Sequence, residues 1–202
     1  MNMPFYRLTI ISLLNSLMLF CYMCAMDSCQ LPQTADQIRS KQPDTAAYED
    51  IHFGILAKDY VKLKKSSTLI GTSLFTFSPF FIPKDQRLCM LQLRSVPVNY
   101  QDALWRLPQD IKAIREQFVT LYGGPAQSHE IPRIENLDQR HVFWDCEWVF
   151  PRKLISIGVG RIADENAVFA GDNRRYLVVC QIIDRPLHDI YNEQVVYTDM
   201  PF

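Results

Sequence analysis

Apolar residues recur at alternating steps of three and four in the middle of the chain, and this spacing predicts a long amphipathic helix. We expect the helix over about 101–122, with an apolar stripe made of Leu104, Leu107, Ile111, Ile114, Phe118 and Leu121. Residues at these steps share one face of a helix with 3.6 residues per turn. Pro108 predicts a kink or a new helix start, because proline lacks the N–H that an interior turn needs. Gly123-Gly124-Pro125 predicts the end of the helix.

Three segments after this helix have the pattern of β-strands. His141–Phe150 alternates, Lys153–Arg161 carries its branched apolar residues on one side, and Arg175–Asp184 is a near-continuous apolar run. Pro151-Arg152 is a tight link between the first two, and the hydrophilic stretch from Ala163 to Asn173 is a longer connection. Short strands joined in sequence favour an antiparallel three-stranded meander.

Apolar segments also precede the helix. Ile51–Leu56 is short, Thr68–Phe77 is rich in residues that suit a pleated surface, and Arg87–Val96 alternates with both faces mostly apolar. Strands, one long helix and then three strands predict an α+β fold. In this fold the helix covers one face of an antiparallel β-sheet, and the three-stranded meander follows it.

The N-terminus has the layout of an export signal. Arg7 precedes an apolar run that extends from Leu8 to Met26, which predicts a secretory signal peptide at 1–26. A retained transmembrane anchor is the alternative, because the run approaches the ~20 residues that span a bilayer. A lipid anchor on Cys29 is a further alternative, although Asp27 is charged where a small residue is expected. We therefore expect export to the periplasm, the outer membrane surface or the medium, with membrane contact only through the signal peptide or a lipid anchor.

The rest of the chain divides by composition. Residues 27–45 are polar, contain two prolines and predict a flexible linker. Residues 46–184 form a single predicted α+β domain. Residues 185–202 are expected to be a C-terminal tail with at most one helical turn.

Charge excludes one class of function. The chain has 202 residues, 48% of them hydrophobic, and a formal net charge of -1 without a dominant basic block. A nucleic-acid binder would present a basic surface, so nucleic acid is not an expected partner. Lys58, Lys62, Lys64 and Lys65 form one basic cluster that could meet an anionic glycan or a lipid headgroup. Such a run is more often a solvated edge that discourages strand-to-strand aggregation.

The segment His141–Phe150, with the sequence HVFWDCEWVF, concentrates reactive side chains. Strand alternation places Cys146 among aromatic residues on one face, and His141, Asp145 and Glu147 on the other. His141 and Asp145 lie about 13 Å apart along a strand, too far to bind one metal ion unaided. Asp145 and Glu147 lie about 6.6 Å apart, a spacing compatible with a glycosidase carboxylate pair. Acids two residues apart are also common on the solvent face of a sheet.

Other motifs of site chemistry are missing from the sequence. No helical zinc motif, phosphate-binding glycine loop or nucleophile elbow is present. We therefore expect no cofactor and no metal. Cys146 and Cys180 lie in two predicted core strands, and a disulfide between them is a further hypothesis for an exported protein.

Spaced residues through the predicted domain form a recurrent set. They are Val98, Tyr100 and Trp105, then Ile114, Phe118, Tyr122, Gly123 and Pro125, then Trp144, Trp148, Ile155, Ile157, Gly158 and Val159, and finally Tyr176, Val178, Ile183 and Asp184. This set resembles a family of small exported proteins from gut-type Bacteroidetes bacteria, which are of unknown function. The resemblance covers about Gly54 to Asp184. The resemblance implies a helix that ends in Tyr-Gly-x-Pro, followed by antiparallel strands. The chain departs from the family at Leu121, where lysine is usual, and lacks a terminal tyrosine after Ile183-Asp184. No site residues follow from this resemblance.

Two functional hypotheses remain. The first is a non-enzymatic envelope or secreted module that binds a protein or a glycan through an exposed sheet face or edge. The second is a periplasmic hydrolase that uses Asp145 and Glu147 as a carboxylate pair, with either His129 or His141 brought in by the loop as an optional third group. The absence of a convergent reactive set favours the first.

Overall fold

The computed structural model describes residues 44–139, 141–163 and 174–198. The strands are β1 (Ala46–Tyr48), β2 (Ile51–His52), β3 (Ser67–Ile70), β4 (Ser73–Phe81), β5 (Leu88–Ser95), β6 (Gln127–Ser128), β7 (Val142–Val149), β8 (Lys153–Ala163) and β9 (Arg174–Asp184). The helices are α1 (Ala57–Tyr60), α2 (Tyr100–Tyr122) and α3 (Arg185–Thr198), with 3-10 turns at Val61–Leu63 and Ile134–Asn136. The predicted signal peptide, the predicted linker up to residue 43 and most of the predicted 163–173 connection lie outside the described residues.

The predicted α+β fold class is wrong, because the described structure is mainly β. Its main element is a seven-stranded antiparallel sheet in the order β3-β4-β5-β9-β8-β7-β6, and β1 and β2 form a separate two-stranded sheet. The sequence pattern divided the strands into a group before α2 and a meander after it. In the structure the last strand, β9, lies between β5 and β8 and joins the two groups into one sheet. Cys180 of β9 pairs with Leu93 on one side and with Ile157 on the other.

The segment Thr68–Phe77, predicted as one strand, contains a hairpin. Strands β3 and β4 pair from Ser67 with Thr76 to Ile70 with Ser73, which leaves a two-residue turn at Gly71-Thr72. Gly71 has φ +59, and a Cβ there would lie 2.9 Å from the Ala113 Cβ of α2. A positive φ at the first turn position is the conformation that glycine adopts without strain. This turn therefore lies directly against the long helix.

Helix α2 packs on the face of the sheet that we call the helix face. Asn99 caps its start by accepting a 2.9 Å hydrogen bond from the Asp102 amide. The helix continues through Pro108 and ends at Tyr122, and Gly123 follows with φ 81. The buried positions are Ala103, Leu107, Asp110, Ile114, Phe118 and Tyr122. Leu104, predicted to belong to the apolar stripe, is exposed.

The helix face carries much of the core. Ile155, Ile157 and Val159 of β8 are buried there, and the Phe118 ring lies 6.0 Å from the Trp148 ring of β7. Tyr48 of β1 closes the side of this layer, with ring contacts to Phe118 and to Phe77 of β4. Burial of large apolar side chains is the dominant favourable contribution to folding.

Residues 185–198 of the predicted tail form helix α3. Asp184 caps it by accepting a 3.0 Å hydrogen bond from the Leu187 amide, and the Arg152 Nε donates to the other carboxylate oxygen at 2.6 Å. Leu187 is buried, and α3 packs against β5 and β9. None of the helices in the described ranges is long and apolar enough to cross a bilayer.

Candidate functional site

A β-bulge in β7 decides where the predicted site residues point. Trp144 pairs with Gly158 and Cys146 pairs with Ile157, so Asp145 is the extra residue. A Cβ on Gly158 would lie 2.3 Å from the Phe143 carbonyl oxygen, so the β7 backbone approaches β8 more closely than any side chain allows. The bulge therefore interrupts the strict alternation that the sequence pattern assumed.

The bulge separates the two proposed catalytic acids. Asp145 is only 13% exposed, and its Oδ2 lies 3.4 Å from the Arg115 Nη1 of α2, so it points to the helix face. Glu147 accepts a 2.9 Å hydrogen bond from the buried Ser156 hydroxyl on the opposite face. A carboxylate pair acts by flanking one bond of the substrate. Asp145 and Glu147 do not form such a pair.

His141 does not join either acid. Its Nδ1 lies 2.9 Å from an Asp138 carboxylate oxygen, and its backbone amide donates to the same carboxylate. Its side chain is exposed. Within the described ranges no group of three or more His, Cys, Asp or Glu side chains is placed to hold a metal ion.

The three cysteines in the described residues, Cys89, Cys146 and Cys180, are buried free thiols. Cys146 and Cys180 pair with Ile157 from opposite sides, so their strands are separated by β8. Two strand spacings amount to about 9.6 Å, beyond the Cα separation that a disulfide bridges. Burial raises the pKa of the Cys146 thiol to about 12 and that of the Cys89 thiol to about 11. Neither sulfur is therefore activated as a nucleophile.

Lys62 and Lys65 of the predicted basic cluster, and the buried Lys153, have partners within the structure. In the predicted basic cluster, Lys62 pairs with Asp59 at 2.6 Å and Lys65 pairs with Glu49 at 3.1 Å, which partly neutralises it. Lys153 is fully buried on the helix face, and its Nζ donates to the Ala46 carbonyl at 3.1 Å. Burial lowers the pKa of this ammonium to about 8.

Asp145 lines an apolar cavity of about 330 Å³ between α2 and the 131–137 segment. Leu107, Ile111 and Ile134 are among the apolar residues that line it. Its carboxylate already has Arg115 as a partner. Apart from Asp145 and Arg133, the described residues that line this cavity are apolar.

The face opposite α2, which we call the second face, carries a polar row that crosses the sheet. Direct register places in one line Ser78 of β4, Gln92 of β5, Gln181 of β9, Ser156 of β8, Glu147 of β7 and Gln127 of β6. Side chains directly opposite each other on neighbouring strands share a face and lie close enough to interact. Buried polar groups are costly unless they are hydrogen-bonded, so a row of this kind is unusual within a core sheet.

A groove of about 380 Å³ lies on the second face beside this row. Its floor contains the buried residues Gln92, Gly160, Leu177 and Val179, and its rim includes the exposed residues Thr76, Arg94, Gln139, His141 and Ile162. Gly160 lacks a side chain, and a Cβ there would meet its neighbours only at 3.6 Å or more. The floor is thus part polar and part apolar, and Gly160 leaves space above it.

Arg161 lies beyond the part of β8 that pairs with β7, since β7 begins with Val142 opposite Gly160. It still pairs with Tyr176 of β9, whose ring contacts Tyr100 of α2, so the Arg161 side chain lies on the helix face although the residue borders the groove. The Arg94 Nε donates to the Gln92 Oε1 at 2.5 Å, which links the rim to the polar row.

The sequence pattern missed this groove although a signal was present. Gln92 and Arg94 alternate with Leu91 and Leu93, and Gln181 is the single polar residue in an otherwise apolar stretch of β9. A lone polar side chain in the middle of a core strand indicates one face that is not fully apolar. The sequence does not show that Gln92 and Gln181 are directly opposite each other, because this depends on β5 and β9 being neighbours in the sheet.

No family model, curated protein or solved structure matches this chain.

Proposed function

We propose that this protein is an exported, non-enzymatic binding module that holds a glycan in the groove on the second face. The observation that carries the proposal is the groove itself, with the polar row of Gln92 and its neighbours beside it. The N-terminal charge and hydropathy pattern supports export. Asp145 and Glu147 point to opposite faces, so the alternative of a hydrolase that uses them as a carboxylate pair has less support.

The size and lining of the groove favour a glycan over a protein partner. A volume of about 380 Å³ falls in the range of small-ligand sites, which are concave and carry a few well-placed polar groups. A protein partner needs roughly 800 Å² of surface on each side. Amide, hydroxyl and guanidinium groups match the donors and acceptors of sugar hydroxyls. Leu177 and Val179 offer the apolar contact that the C–H face of a sugar ring can cover.

An aromatic side chain lies on the same face. Trp144 is half-buried and pairs with Gly158, in the register row next to the polar row. Because Gly158 has no side chain, the indole has no bulky cross-strand neighbour at that position. An amphipathic aromatic ring of this kind suits the apolar face of a sugar.

The proposal is tested by calorimetric titration of the purified full chain with a panel of neutral and acidic oligosaccharides. We expect binding by at least one member, and loss of that binding in Gly160→Leu, whose side chain projects into the groove. Gly160→Ala is the matched control, because its Cβ makes only ordinary contacts. Circular dichroism checks that both variants fold. No binding across the panel, or undiminished binding by a folded Gly160→Leu, would overturn the proposal, and capture of a protein partner on this face would do the same.

Export is tested separately. We expect cells that express the full chain to deliver it outside the cytoplasm, shortened by about the predicted 1–26 segment in mass spectrometry. A chain that keeps this segment in the membrane would support the anchor alternative and contradict the signal-peptide prediction. A variant that lacks residues 1–26 is the control and should remain in the cytoplasm.

A further inference from the structure

We infer that the helix face holds a second ligand site, in which the cavity between α2 and the 131–137 segment binds a free aliphatic α-amino acid. This site is independent of the groove on the second face and goes beyond the proposed function. The cavity volume of about 330 Å³ lies at the small end of the range for ligand pockets, which is roughly 300–1,000 Å³. The cavity therefore suits one small molecule.

The wall of this cavity is aliphatic. Leucine, isoleucine, valine and proline supply its apolar lining, and none of the described residues that line it is aromatic. Leu107 and Leu137 are buried, whereas Ile111, Ile131 and Ile134 are half-buried and still have apolar surface to cover. A branched aliphatic side chain in this space would remove apolar surface of both partners from water, which is favourable.

Asp145 supplies the negative charge of the cavity, because the β7 bulge turns its side chain to the helix face. The side chain is only 13% exposed, and its Oδ2 lies 3.4 Å from the Arg115 Nη1. This contact is longer than an ordinary N–H···O bond of about 2.7–3.2 Å, and an ionised carboxylate can accept about four hydrogen bonds. Arg115 also donates from its Nη2 to the Ser128 hydroxyl at 3.3 Å. Asp145 therefore retains acceptor capacity for the ammonium group of a ligand.

Arg133 supplies the positive charge of the cavity. It lines the same space and is exposed, so it lies on the solvent side. Glu135, the nearest acid along the chain, accepts a hydrogen bond from the Tyr100 hydroxyl. A guanidinium stays charged at physiological pH and can donate two parallel hydrogen bonds to one carboxylate. Arg133 therefore matches the carboxylate of a ligand.

The two charges together favour a zwitterion. Asp145 and Arg133 are one acid and one base among otherwise apolar described lining residues. An amine would engage Asp145 alone, and a carboxylic acid would engage Arg133 alone. An aliphatic α-amino acid carries both charges on one carbon and an apolar tail, so it matches the acid, the base and the wall at once.

The test is calorimetric titration of the full chain with leucine, isoleucine, valine and alanine, and with two analogues of leucine. Isocaproate lacks the ammonium group, and isoamylamine lacks the carboxylate. We expect at least one branched amino acid to bind, with leucine at least about tenfold tighter than either analogue, as loss of one charge-assisted hydrogen-bonded contact implies. Alanine should also bind at least about tenfold more weakly, because it lacks the branched tail.

Variants assign the two charged residues. Asp145→Asn should abolish the preference for leucine over isocaproate, and Arg133→Gln should abolish the preference for leucine over isoamylamine. Lys112→Gln and Glu116→Gln are the matched controls, because both side chains are exposed on α2 outside the cavity lining. Thermal unfolding checks that each variant is folded, and the two analogues test the charges on the unaltered protein.

Each outcome is decisive for this site and separate from the glycan proposal. Isocaproate or isoamylamine that binds as tightly as leucine refutes the zwitterion, and alanine that binds as tightly refutes the role of the aliphatic wall. Preferences that persist in folded Asp145→Asn and Arg133→Gln overturn the assignment of these residues. Failure of all the branched amino acids to bind overturns the site, whereas the oligosaccharide titrations decide the groove.

Discussion

The buried ammonium of Lys153 makes a quantitative prediction about stability. Its side chain is 0% exposed, and its Nζ lies 4.7 Å from the centre of the Tyr122 ring and 5.8 Å from that of Phe150. Burial lowers its pKa from the ordinary lysine value of 10.5 to about 8. Between these two values the unfolded chain holds a proton that the folded protein has released. The free energy of unfolding therefore rises with pH in this window.

The size of this effect follows from the two pKa values. Each pH unit inside the window contributes up to about 1.4 kcal/mol, so the Lys153 contribution should grow by roughly 2 kcal/mol between pH 7 and pH 9.5. Buried thiols act in the opposite direction. The raised pKa of Cys89 and of Cys146 means that the unfolded chain loses thiol protons first as the pH rises. The contribution of Lys153 to the free energy of unfolding is therefore isolated only by comparison with a variant that lacks its ammonium group.

The variant is Lys153→Met, which keeps the length and apolar stem of the side chain without the charge. Urea unfolding under reducing conditions, followed by tryptophan fluorescence, gives the free energy of unfolding of both proteins from pH 7 to pH 9.5. The stability of the wild type relative to the variant should rise by roughly 2 kcal/mol over this range. Lys112→Met is the control, because the Lys112 side chain is 76% exposed. A difference between wild type and Lys153→Met that stays flat with pH would refute the reasoning.

Three further predictions follow from the packing. Gly158→Ala should lower the free energy of unfolding by several kcal/mol, because its Cβ would lie 2.3 Å from a backbone oxygen, whereas Gly160→Ala should change it little. Thermal unfolding compares the two variants, and equal stability would contradict the close approach of the β7 backbone to Gly158. Asp184→Ala should lower the free energy of unfolding by roughly 1–3 kcal/mol, because it removes the α3 cap and the Arg152 contact. Asp184→Asn should have a smaller effect in the same urea assay. An Asp184→Ala variant with unchanged stability would refute the stabilising role of the cap. The buried thiol of Cys146 should resist alkylation by iodoacetamide until the chain is unfolded, and mass spectrometry would reveal modification of the native protein if this is wrong.

Local pattern alone located several elements of this protein. The steps of three and four between Leu107, Ile111, Ile114 and Phe118 depend only on the geometry of a helix, and the chain forms helix α2 over Tyr100–Tyr122. Glycine at position 123 has the positive φ that ends a helix. Alternation and apolar runs likewise fall on β7, β8 and β9. These features could be read from the sequence because they arise between residues that are close along the chain.

Tertiary structure alone decided the fold class and the site. The pairing of β9 with β5 joins residues such as Leu93 and Cys180, which are far apart in sequence, and periodicity carries no information about such partners. The bulge at Asp145 arises where the β7 backbone meets Gly158 of the next strand, and it turned one expected solvent-facing acid toward the helix. The same non-local register brought Gln92 beside Gln181 and placed Gly160 in the floor of the groove. The side chains that could bind a ligand were thus visible in the sequence, but their convergence depended on which strands are neighbours.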